Sequence, residues 1–348
     1  MPKSLIENKS PVVCTHDNVF HADEVLAIAI VRLINPNVTI IRTRNEDVLQ
    51  SADFRIDIGG KYDPETGDFD HHQEGFDIRH ISPNQNKYEQ GPKRSGAGLI
   101  WLNYGKEAIE SFLKTQTFPN PDVEIDKDSI DFVHTQIDKN LIAPIDAFDN
   151  GEGRDFYLDT GAYRVPSIGR IVQNLNPSWL EKSITDGDTY FYEALDLTVN
   201  CLKREIVKNF AVFAGRFVLL EKIKEVDSSG LLILEEFVPW SPIFSQHQEE
   251  TKHVKMVIFP AVDSWMVQSP YFMKIDYNDF SFNMPDGTKR KQRYPAPSHI
   301  CGKTNEDLAK LTDVEDAVFI HATGFIGAAR TKEGAIKLAQ YIIDNQDK

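Results

Sequence analysis

The sequence has few cysteines and a shortage of positive charge, and both features argue against whole classes of protein. Its three cysteines in 348 residues, Cys14, Cys201 and Cys301, lie far apart and form no C-x-x-C pair. This spacing argues against a disulfide framework or a zinc knuckle and predicts a reducing compartment. Lys and Arg number 38 against 53 Asp and Glu, so the net charge is -15. Because a bulk electrostatic grip on nucleic acid or anionic lipid is missing, a phosphate partner must be held locally or through metal.

Long hydrophobic runs are missing as well. No apolar stretch approaches the roughly 18 to 20 residues that cross a bilayer, and residues 1–10 lack the apolar core of a signal peptide. A hydrophobic fraction of 41% is nevertheless enough for two cores at this length. We therefore expect a globular intracellular protein without a membrane partner, with the cytosol favoured over the nucleus or mitochondrion. The oligomeric state stays open, with a homodimer as one alternative.

Strands and helices alternate in the first third of the chain. Residues 11–15, 38–43 and 54–58 predict strands, and the apolar residues 25–34 predict a buried helix. This alternation predicts an α/β fold with a parallel sheet, whose ligands lie beyond the carboxyl ends of the strands. A further helix is predicted over residues 130–141, followed by a polar corner at 143–151.

The composition changes after Gly151, which indicates a second region with its own core. There we predict a helix over 190–216 and strands at 217–221, 231–234, 254–259 and 265–267. The predicted organisation is a metal-binding catalytic domain at 11–152, a helical connector at 153–216 and a smaller α/β substrate-binding domain at 217–348.

Nine carboxylates and imidazoles stand near the predicted ends of strands and helices, in four separate segments. They are His16, His21, Asp23, Asp57, Asp70, His71, His72, Asp146 and Asp149. Each one alone is most often a turn or cap residue. Together, with no thiolate among them, they favour Mn²⁺, Mg²⁺, Fe²⁺ or Zn²⁺, and they are enough for two ions. Two ions roughly 3.5 to 4 Å apart can share a bridging carboxylate, generate hydroxide near neutral pH and stabilise both oxygens of a phosphoryl displacement.

Two glycine-containing segments are candidates for contact with phosphate. At Ser95-Gly-Ala-Gly98, before a predicted helix, simple helix packing and a phosphate-facing role are equally good interpretations. The segment at 321–330 lies between an apolar run and a predicted helix at 332–343. We predict that its backbone N–H groups from Gly324 to Ala328 hold a phosphate at the helix start, with Arg330 pairing to it.

The run Lys289-Arg-Lys-Gln-Arg293 offers a basic patch that could follow a nucleic-acid backbone, although a solvated loop is the commoner meaning of such a run. Phe272 and Tyr294 flank it. Base stacking on them is one interpretation, and buried packing is the commoner one.

Six ordered motifs resemble those of a known family. They are Thr15-His-x-x-x-Phe-His-x-Asp-Glu24, Asp57-Ile-Gly-Gly-x-Tyr-Asp63, Phe69-Asp-His-His-Gln73, Ile145-Asp-Ala-Phe-Asp-Asn-Gly151, Leu175-Asn-Pro-Ser-Trp-Leu180 and His321-Ala-Thr-Gly-Phe-Ile-Gly327. The chain resembles the melanocyte-proliferating-gene family of DHH-like proteins, within the DHH phosphoesterase superfamily, over nearly its whole length. The resemblance implies a metal-dependent phosphoesterase with two divalent cations, Mn²⁺ being favoured. For eukaryotic members it implies a 3′ to 5′ RNA exonuclease active in RNA processing.

The resemblance also implies roles for the candidate residues. The metal ligands would be His16, His21, Asp23, Asp57, His71 and Asp149, with Asp57 as the bridging carboxylate and Asp149 preferred over Asp146. His21 departs from the superfamily, which usually has an aspartate there and one residue less between it and the first histidine, and this departure bears on the metal preference. His72 would contact phosphate or act as a general acid. Asp70 would accept a hydrogen bond from an imidazole and fix its tautomer. Substrate contacts would come from His321, Gly324, Gly327 and Arg330.

The predicted function is exonucleolytic cleavage of short or single-stranded RNA. The first alternative is a small-substrate phosphatase or pyrophosphatase, since an acidic surface suits a compact anion better than a polymer. The second is a metal-binding scaffold without turnover. Ligand-capable residues in all four segments argue against the scaffold, because a scaffold has no need of an open coordination position.

Overall fold

The computed structural model describes residues 1–82, 90–119, 123–153, 167–181, 187–271, 282–283, 289–290 and 292–346. The chain divides into two compact units, Met1–Phe210 and Ala211–Lys348. Each unit combines helices with a five-stranded sheet, which confirms the predicted α/β class. The domain boundaries after residues 152 and 216 stay a prediction. Within the described ranges, no helix is both long and apolar enough to cross a membrane.

The sheet of the first unit is mostly parallel. Its strands are β1 (Val12–Thr15), β2 (Thr39–Arg42), β3 (Phe54–Ile56), β4 (Tyr62–Asp63) and β5 (Asp68–Phe69), in the order β2-β1-β3-β5-β4. The pairs β1/β2, β1/β3 and β3/β5 are parallel, and only β4 runs antiparallel to its neighbour β5. The carboxyl ends of β1, β3 and β5 therefore meet at one edge.

Helices flank this sheet. They are α1 (Ala22–Ile34), α2 (Glu46–Ser51), α3 (Gly96–Leu113), α4 (Lys127–Ile137), α5 (Ala143–Asp149), α6 (Ile168–Asn174) and α7 (Gly187–Lys224). Residues 25–31 of α1 are apolar on every face of the helix, and all of them are fully buried. Helix α1 packs closely against α3, so the amino ends of both helices are held beside the sheet edge.

The helix predicted over residues 130–141 does not end in a polar corner. After α4 the chain continues through a π-helical segment, Asp138–Ile142, directly into α5. Pro144 is tolerated because it falls in the first turn of α5, where a missing N–H matters least. Asp146 and Asp149 are consequently helix residues, one turn apart.

The second unit contains a mostly antiparallel sheet. Its strands are β6 (Leu231–Ile233), β7 (Met256–Pro260), β8 (Trp265–Gln268), β11 (Ala317–Ile320) and β12 (Ile326–Ala329), in the order β11-β12-β8-β7-β6. A separate two-stranded sheet joins β9 (Phe282–Asn283) to β10 (Lys289–Arg290). The helices are α8 (Trp240–Gln246), α9 (Gln248–Thr251), α10 (Asn305–Thr312) and α11 (Lys332–Asp344), with a 3₁₀ turn at Ser298–Ile300.

One predicted strand of this region is wrong. Residues 217–221 lie within α7, which runs to Lys224. Leu219 and Ile223 are buried whereas Phe217 and Val218 are exposed, which is the spacing of one helix face. A short apolar run does not distinguish a strand from a helix. The strands predicted at 231–234, 254–259 and 265–267 are confirmed as β6, β7 and β8, with slightly different ends.

Candidate metal centre

Five elements of the first unit bring the candidate ligands to one edge of its sheet. His16 follows β1, Asp57 follows β3, and Asp70-His-His72 follows β5. Because these three strands are parallel neighbours, their end residues are adjacent in space. The first turn of α1 adds Asp23, and α5 ends at Asp149. The site is thus built from the positions at which parallel sheets usually bind ligands.

Asp57 lies between two histidines. Its Oδ2 is 3.3 Å from Nε2 of His16, and its Oδ1 is 3.2 Å from Nε2 of His71. The backbone of Asp57 is left-handed, with φ of 57°, a conformation that aspartate tolerates better than most residues. This sharp turn at the end of β3 directs one carboxylate oxygen towards each imidazole.

Both imidazoles are oriented through their other nitrogen. Nδ1 of His16 lies 3.0 Å from the carbonyl oxygen of Asp17, and Nδ1 of His71 lies 3.3 Å from Oδ1 of Asn150. Since these oxygens can only accept, Nδ1 carries the proton in each ring, and the neutral ring presents a lone pair at Nε2. A histidine that binds metal is usually held in this way.

The amide of Asn150 is itself fixed. Its Nδ2 donates to the carbonyl oxygens of Lys93, at 3.1 Å, and Asp146, at 2.9 Å. Its Oδ1 must therefore face His71. Asn150 was missed in the sequence because an asparagine directly before Gly151 is typical of a helix end.

The potential ligands form three overlapping groups, in each of which the ligand atoms lie within 4.8 Å of one another. The groups are His16, His21, Glu24 and Asp57; Asp57, Asp70, His71 and His72; and His21, Asp23 and Asp149. Asp57 belongs to the first two groups, and His21 links the first to the third. The structure therefore brings all six predicted metal ligands into one cluster.

Several atoms of this cluster are buried without a hydrogen-bond partner among the described residues. They are Oδ1 of Asp23, Oε2 of Glu24, Oδ1 of Asp57 and Nε2 of His71. Unpaired buried carboxylate oxygens are strongly unfavourable unless a cation compensates them. Oxygen and imidazole donors without thiolate suit Mn²⁺, Mg²⁺, Fe²⁺ or Zn²⁺. The residues therefore fit divalent metal.

The pKa values of the clustered histidines and aspartates also indicate that positive charge stabilises this site. Burial opposes protonation of His16 and His71, but the carboxylates that lie 3.2 to 3.3 Å from their Nε2 atoms outweigh it and raise the pKa of each to about 10. Burial likewise opposes ionisation of Asp57, yet its contacts with the two histidines lower its pKa to about 2. Burial and the neighbouring Asp57 raise the pKa of Asp23 well above its usual range. In the absence of metal, protons neutralise the cluster, and bound cations would replace them.

Glu24 also belongs to the cluster, although we did not single it out as a ligand. It is fully buried, its Oε1 lies 3.2 Å from Nε2 of His16, and the same oxygen accepts a 2.7 Å hydrogen bond from the backbone N–H of His21. In the sequence, a glutamate in the first turn of a helix indicates capping. The available signal was a second acidic residue at the start of a fully apolar helix.

Asp70 and His72 form a pair at the rim of the cluster. Oδ1 of Asp70 accepts hydrogen bonds from Nδ1 of His72, at 2.7 Å, and from the backbone N–H of His71, at 2.7 Å. Its Oδ2 accepts from the N–H of Gly60 at 2.6 Å. The His72 side chain is 63% exposed, so its Nε2 edge is open to solvent. The contact expected of Asp70 is present, and the catalytic roles of both residues stay predictions.

Asp146 lies outside the cluster. Its Oδ1 accepts from the Ser95 hydroxyl, at 2.7 Å, and from the backbone N–H of Gly98, at 3.1 Å, while its Oδ2 lies 2.6 Å from Nε2 of His80. Asp149, one turn later, lies 3.2 Å from Nε2 of His71 through its Oδ2. The two aspartates thus serve different neighbours.

The amino end of α3 faces protein carboxylates. The N–H of Gly96 donates to Oδ2 of Asp23 at 3.2 Å, and the N–H of Gly98 donates to Asp146. These donors are occupied, so the structure favours the helix-packing interpretation of the Ser95–Gly98 segment over the phosphate-facing one.

The glycine segment of the second unit is not a strand, loop and helix. After β11 the chain turns and forms β12, which is paired on both sides, with β11 and β8. The N–H of Gly324 donates to the carbonyl oxygen of His321 at 2.8 Å. The predicted cradle at a helix start is wrong, because Ile326–Ala329 continues as a central strand of the sheet. The side chains of His321 and Arg330 are exposed.

The proposed basic run is only partly described. Phe272 and Lys291 lie outside the described residues. Arg293 is not a free surface cation, because its guanidinium donates to the carbonyl oxygens of Thr251 and Val254. Tyr294 is half-buried, in agreement with the commoner interpretation of that residue.

A family model described as an uncharacterised protein family (MYG1_exonuc, UPF0160) matches residues 12–343. This chain belongs to that family. Its relatives include MYG1 protein C694.04c of Schizosaccharomyces pombe, 30% identical over 95% of this chain and 97% of that protein. The MYG1 exonuclease of Homo sapiens is 30% identical over 95% of this chain and 85% of that protein. The family resemblance seen in the sequence is therefore confirmed. The predicted hydrolase class is confirmed too, because members of this family carry the name exonuclease.

Among solved structures, the crystal structure of RecJ in complex with Mn²⁺ from Thermus thermophilus matches with a TM-score of 0.25 and 15% identity. The match covers 98% of this chain and 53% of that one, so this chain spans about half of the RecJ chain. A likeness of this size carries no conclusion about the activity of the MYG1-family chain.

Proposed function

We propose that this chain is a two-metal 3′ to 5′ exonuclease that acts on single-stranded RNA, with Mn²⁺ as its favoured cation. The observation that carries the proposal is the position of Asp57, whose two carboxylate oxygens each face the Nε2 atom of a different histidine. A carboxylate placed in this way suits a bridge between two cations. The MYG1 relatives from mouse and human carry the name exonuclease, which supports a nucleic-acid substrate.

The residues of the chain would divide the work as follows. His16, His21 and Glu24 would hold one cation together with Asp57, and Asp23, His71 and Asp149 would hold the other. Bound divalent cations lower the pKa of water and stabilise charge on phosphoryl oxygens. Asp17 and Asn150 keep the two histidine rings in the tautomer that such binding needs.

His72 is suited to protonate the leaving oxygen. Its hydrogen bond to Asp70 raises its pKa, despite partial burial, which favours the protonated ring that a general acid needs. Because Nδ1 is engaged by Asp70, the proton that can be transferred is the one on the solvent-facing Nε2. General acid catalysis of this kind contributes about 10²- to 10⁴-fold to a rate.

In the second unit, the exposed side chains of His321 and Arg330 are the remaining candidates for phosphate contact.

A small phosphate ester or pyrophosphate is the second candidate substrate, and the net charge of -15 favours it. The internal hydrogen bonds of Arg293 also remove one cation from the surface that an RNA backbone could follow.

The test is hydrolysis of a 5′-labelled single-stranded RNA with Mn²⁺ or Mg²⁺, run in parallel with pyrophosphate. The variant Asp57→Ala, His71→Ala is compared with a control of the same residue types outside the cluster, Asp227→Ala, His247→Ala. We expect a ladder that shortens from the 3′ end with the unaltered chain and the control, and intact RNA with the cluster variant. Phosphate release from pyrophosphate beside intact RNA would instead establish the small-substrate reaction, and bound Mn²⁺ without either reaction would establish a scaffold.

A further inference from the structure

A second buried cluster of charged groups lies behind the metal centre, and its central residue is His80. Nδ1 of His80 lies 3.0 Å from Oδ2 of Asp138, and Nε2 lies 2.6 Å from Oδ2 of Asp146. His80 is 4% exposed and Asp146 is fully buried. Arg94 donates to Oδ1 of Asp138 at 3.1 Å. Arg94 and His80 therefore face the carboxyl groups of Asp138 and Asp146, and both ring nitrogens of His80 have a partner in the protein.

The two carboxylates reach one imidazole because of the π-helical segment. Asp138 and Asp146 are eight residues apart, and in an uninterrupted α-helix eight residues turn about 800°, which leaves the side chains about 80° apart. Each residue of a π turn rotates the helix by less than a residue of an α turn. The segment Asp138–Ile142 therefore brings Asp138 and Asp146 to the same side. Single π turns of this kind are frequent at functional sites.

His80 is held by its own backbone rather than by the helix it contacts. Its N–H donates to the carbonyl oxygen of Pro92, and its carbonyl oxygen accepts from the N–H of Gly91, both at 3.0 Å. The adjacent Arg79 contacts Glu152, just beyond α5, with both Nη1 and Nη2 3.3 Å from its carboxylate oxygens. The segment that carries His80 therefore contacts the chain on both sides of α5, at Asp138 before it and at Glu152 after it.

The far end of α5 carries the groups that hold His71. Oδ1 of Asn150 lies 3.3 Å from Nδ1 of His71, and Oδ2 of Asp149 lies 3.2 Å from Nε2. Asn150 also donates to the carbonyl oxygen of Asp146. A rotation or shift of α5 at Asp146 would therefore move both groups away from the ring of His71.

We propose that His80 is a positioning residue of the metal centre, which fixes the rotation of α5 through Asp138 and Asp146 so that Asp149 and Asn150 hold His71. This inference deepens the proposed function and rests on it for its catalytic consequence. Its primary consequence is on cation binding, which is measurable whatever the substrate. Replacement of a group that orients a metal ligand typically weakens metal affinity or activity about 10- to 100-fold.

The test compares His80→Gln with His134→Gln. His134 is a matched control because it is a histidine of the same unit that stacks on Trp101, with ring centroids 4.9 Å apart, and contacts no member of the metal cluster among the described residues. Mn²⁺ affinity is measured on the full chain from the electron paramagnetic resonance signal of free Mn²⁺, and thermal unfolding is measured beside it. We expect His80→Gln to weaken Mn²⁺ binding about 10- to 100-fold and His134→Gln to leave it unchanged.

A second pair of variants keeps the test decisive if His80→Gln does not fold. Asp138→Asn leaves the contact between His80 and Asp146 in place and removes one charge, whereas Asp131→Asn makes the same change earlier in α4. We expect weaker Mn²⁺ binding only for Asp138→Asn, by a smaller factor than for His80→Gln. Unchanged Mn²⁺ affinity in both His80→Gln and Asp138→Asn, or in Asp138→Asn alone where His80→Gln is unfolded, would overturn the proposal. An unaltered chain that binds Mn²⁺ but leaves RNA intact would overturn the proposed function only.

Discussion

Gly98 is the position at which the smallest change should disturb the first unit most. A Cβ atom there would lie 1.8 Å from Oδ2 of Asp146 and 3.0 Å from Cβ of Arg94. The Asp146 side chain cannot move away without losing contacts, because Oδ2 lies 2.6 Å from Nε2 of His80 and Oδ1 accepts hydrogen bonds from Ser95 and from Gly98 itself. Overpacking costs about 1 to 3 kcal/mol, and a lost hydrogen bond to a charged group costs about 1.5 to 3 kcal/mol.

Alanine should therefore destabilise the chain at Gly98, although it favours a helix by about 1 kcal/mol over glycine. The net loss in free energy of unfolding is about 2 to 5 kcal/mol, which corresponds to a fall in Tm of roughly 4 to 20 °C for a unit of this size. The matched control is Gly169→Ala in α6, where the new Cβ would meet Ala22 at an ordinary 3.6 Å. That variant should keep or raise Tm, because only the helix preference changes.

The measurement is thermal unfolding followed by circular dichroism, with Mn²⁺ affinity measured beside it. Gly98→Ala should lower both Tm and Mn²⁺ affinity, since α3 and α5 meet at Asp146. Equal Tm values for Gly98→Ala and Gly169→Ala would refute the close approach of α3 to Asp146.

Three further predictions concern the metal centre and its supports. His72→Gln should lower kcat for RNA about 10²- to 10⁴-fold with unchanged Mn²⁺ affinity, and a loss of Mn²⁺ binding would instead make His72 a ligand. The folded-state pKa of His16 and His71 is raised from 6.5 to about 10, so their stabilisation of the metal-free chain is complete below 6.5 and is lost as the pH rises towards 10. Thermal unfolding between those pH values should show this loss, and saturating Mn²⁺ should reverse it; a flat metal-free profile would contradict the assignment. Asn176→Ala should speed amide exchange at Phe20, because Oδ1 and Nδ2 of Asn176 bond the N–H and carbonyl oxygen of Phe20 at 2.9 and 2.7 Å, and Asn174→Ala at the end of α6 is the control.

The sequence predicted the sheet edge well because the relevant signals are local. His16 directly follows one predicted apolar strand and Asp57 lies at the end of another, and the end of a parallel strand is a position that a linear pattern can identify. The short strand β5, which precedes Asp70, was not predicted. The continuation of α4 into α5 was not predictable from such a pattern. A proline usually ends a helix, but Pro144 falls in the first turn of α5, directly after the π segment.

The strand predicted at 217–221 failed for a related reason. Its four apolar residues fit either secondary structure, and the burial of Leu219 and Ile223 on one face is established only when the chain is folded. The prediction for the glycine segment at 321–330 was wrong because Ile326–Ala329 pairs as a strand with β8 and β11. Strand β8 is distant in sequence, and β11 lies across a turn. Pairing between segments that are distant in sequence cannot be predicted from a local pattern of residues.

The first unit buries carboxyl groups in two clusters, one around His80 and one at the metal centre, and the two clusters differ in how their oxygens are paired. Asp146 is fully buried, and both of its carboxyl oxygens have partners in the protein, His80 on Oδ2 and Ser95 and Gly98 on Oδ1. Asp23 and Asp57 are buried to a similar degree, yet each keeps an oxygen without a hydrogen-bond partner among the described residues. The described part of the chain provides a hydrogen-bond partner for each oxygen of Asp146 but none for these oxygens of Asp23 and Asp57, which is the arrangement expected where an external cation binds. The two clusters meet at α5, because the helix that places Asp149 and Asn150 beside His71 also contacts His80 through Asp146.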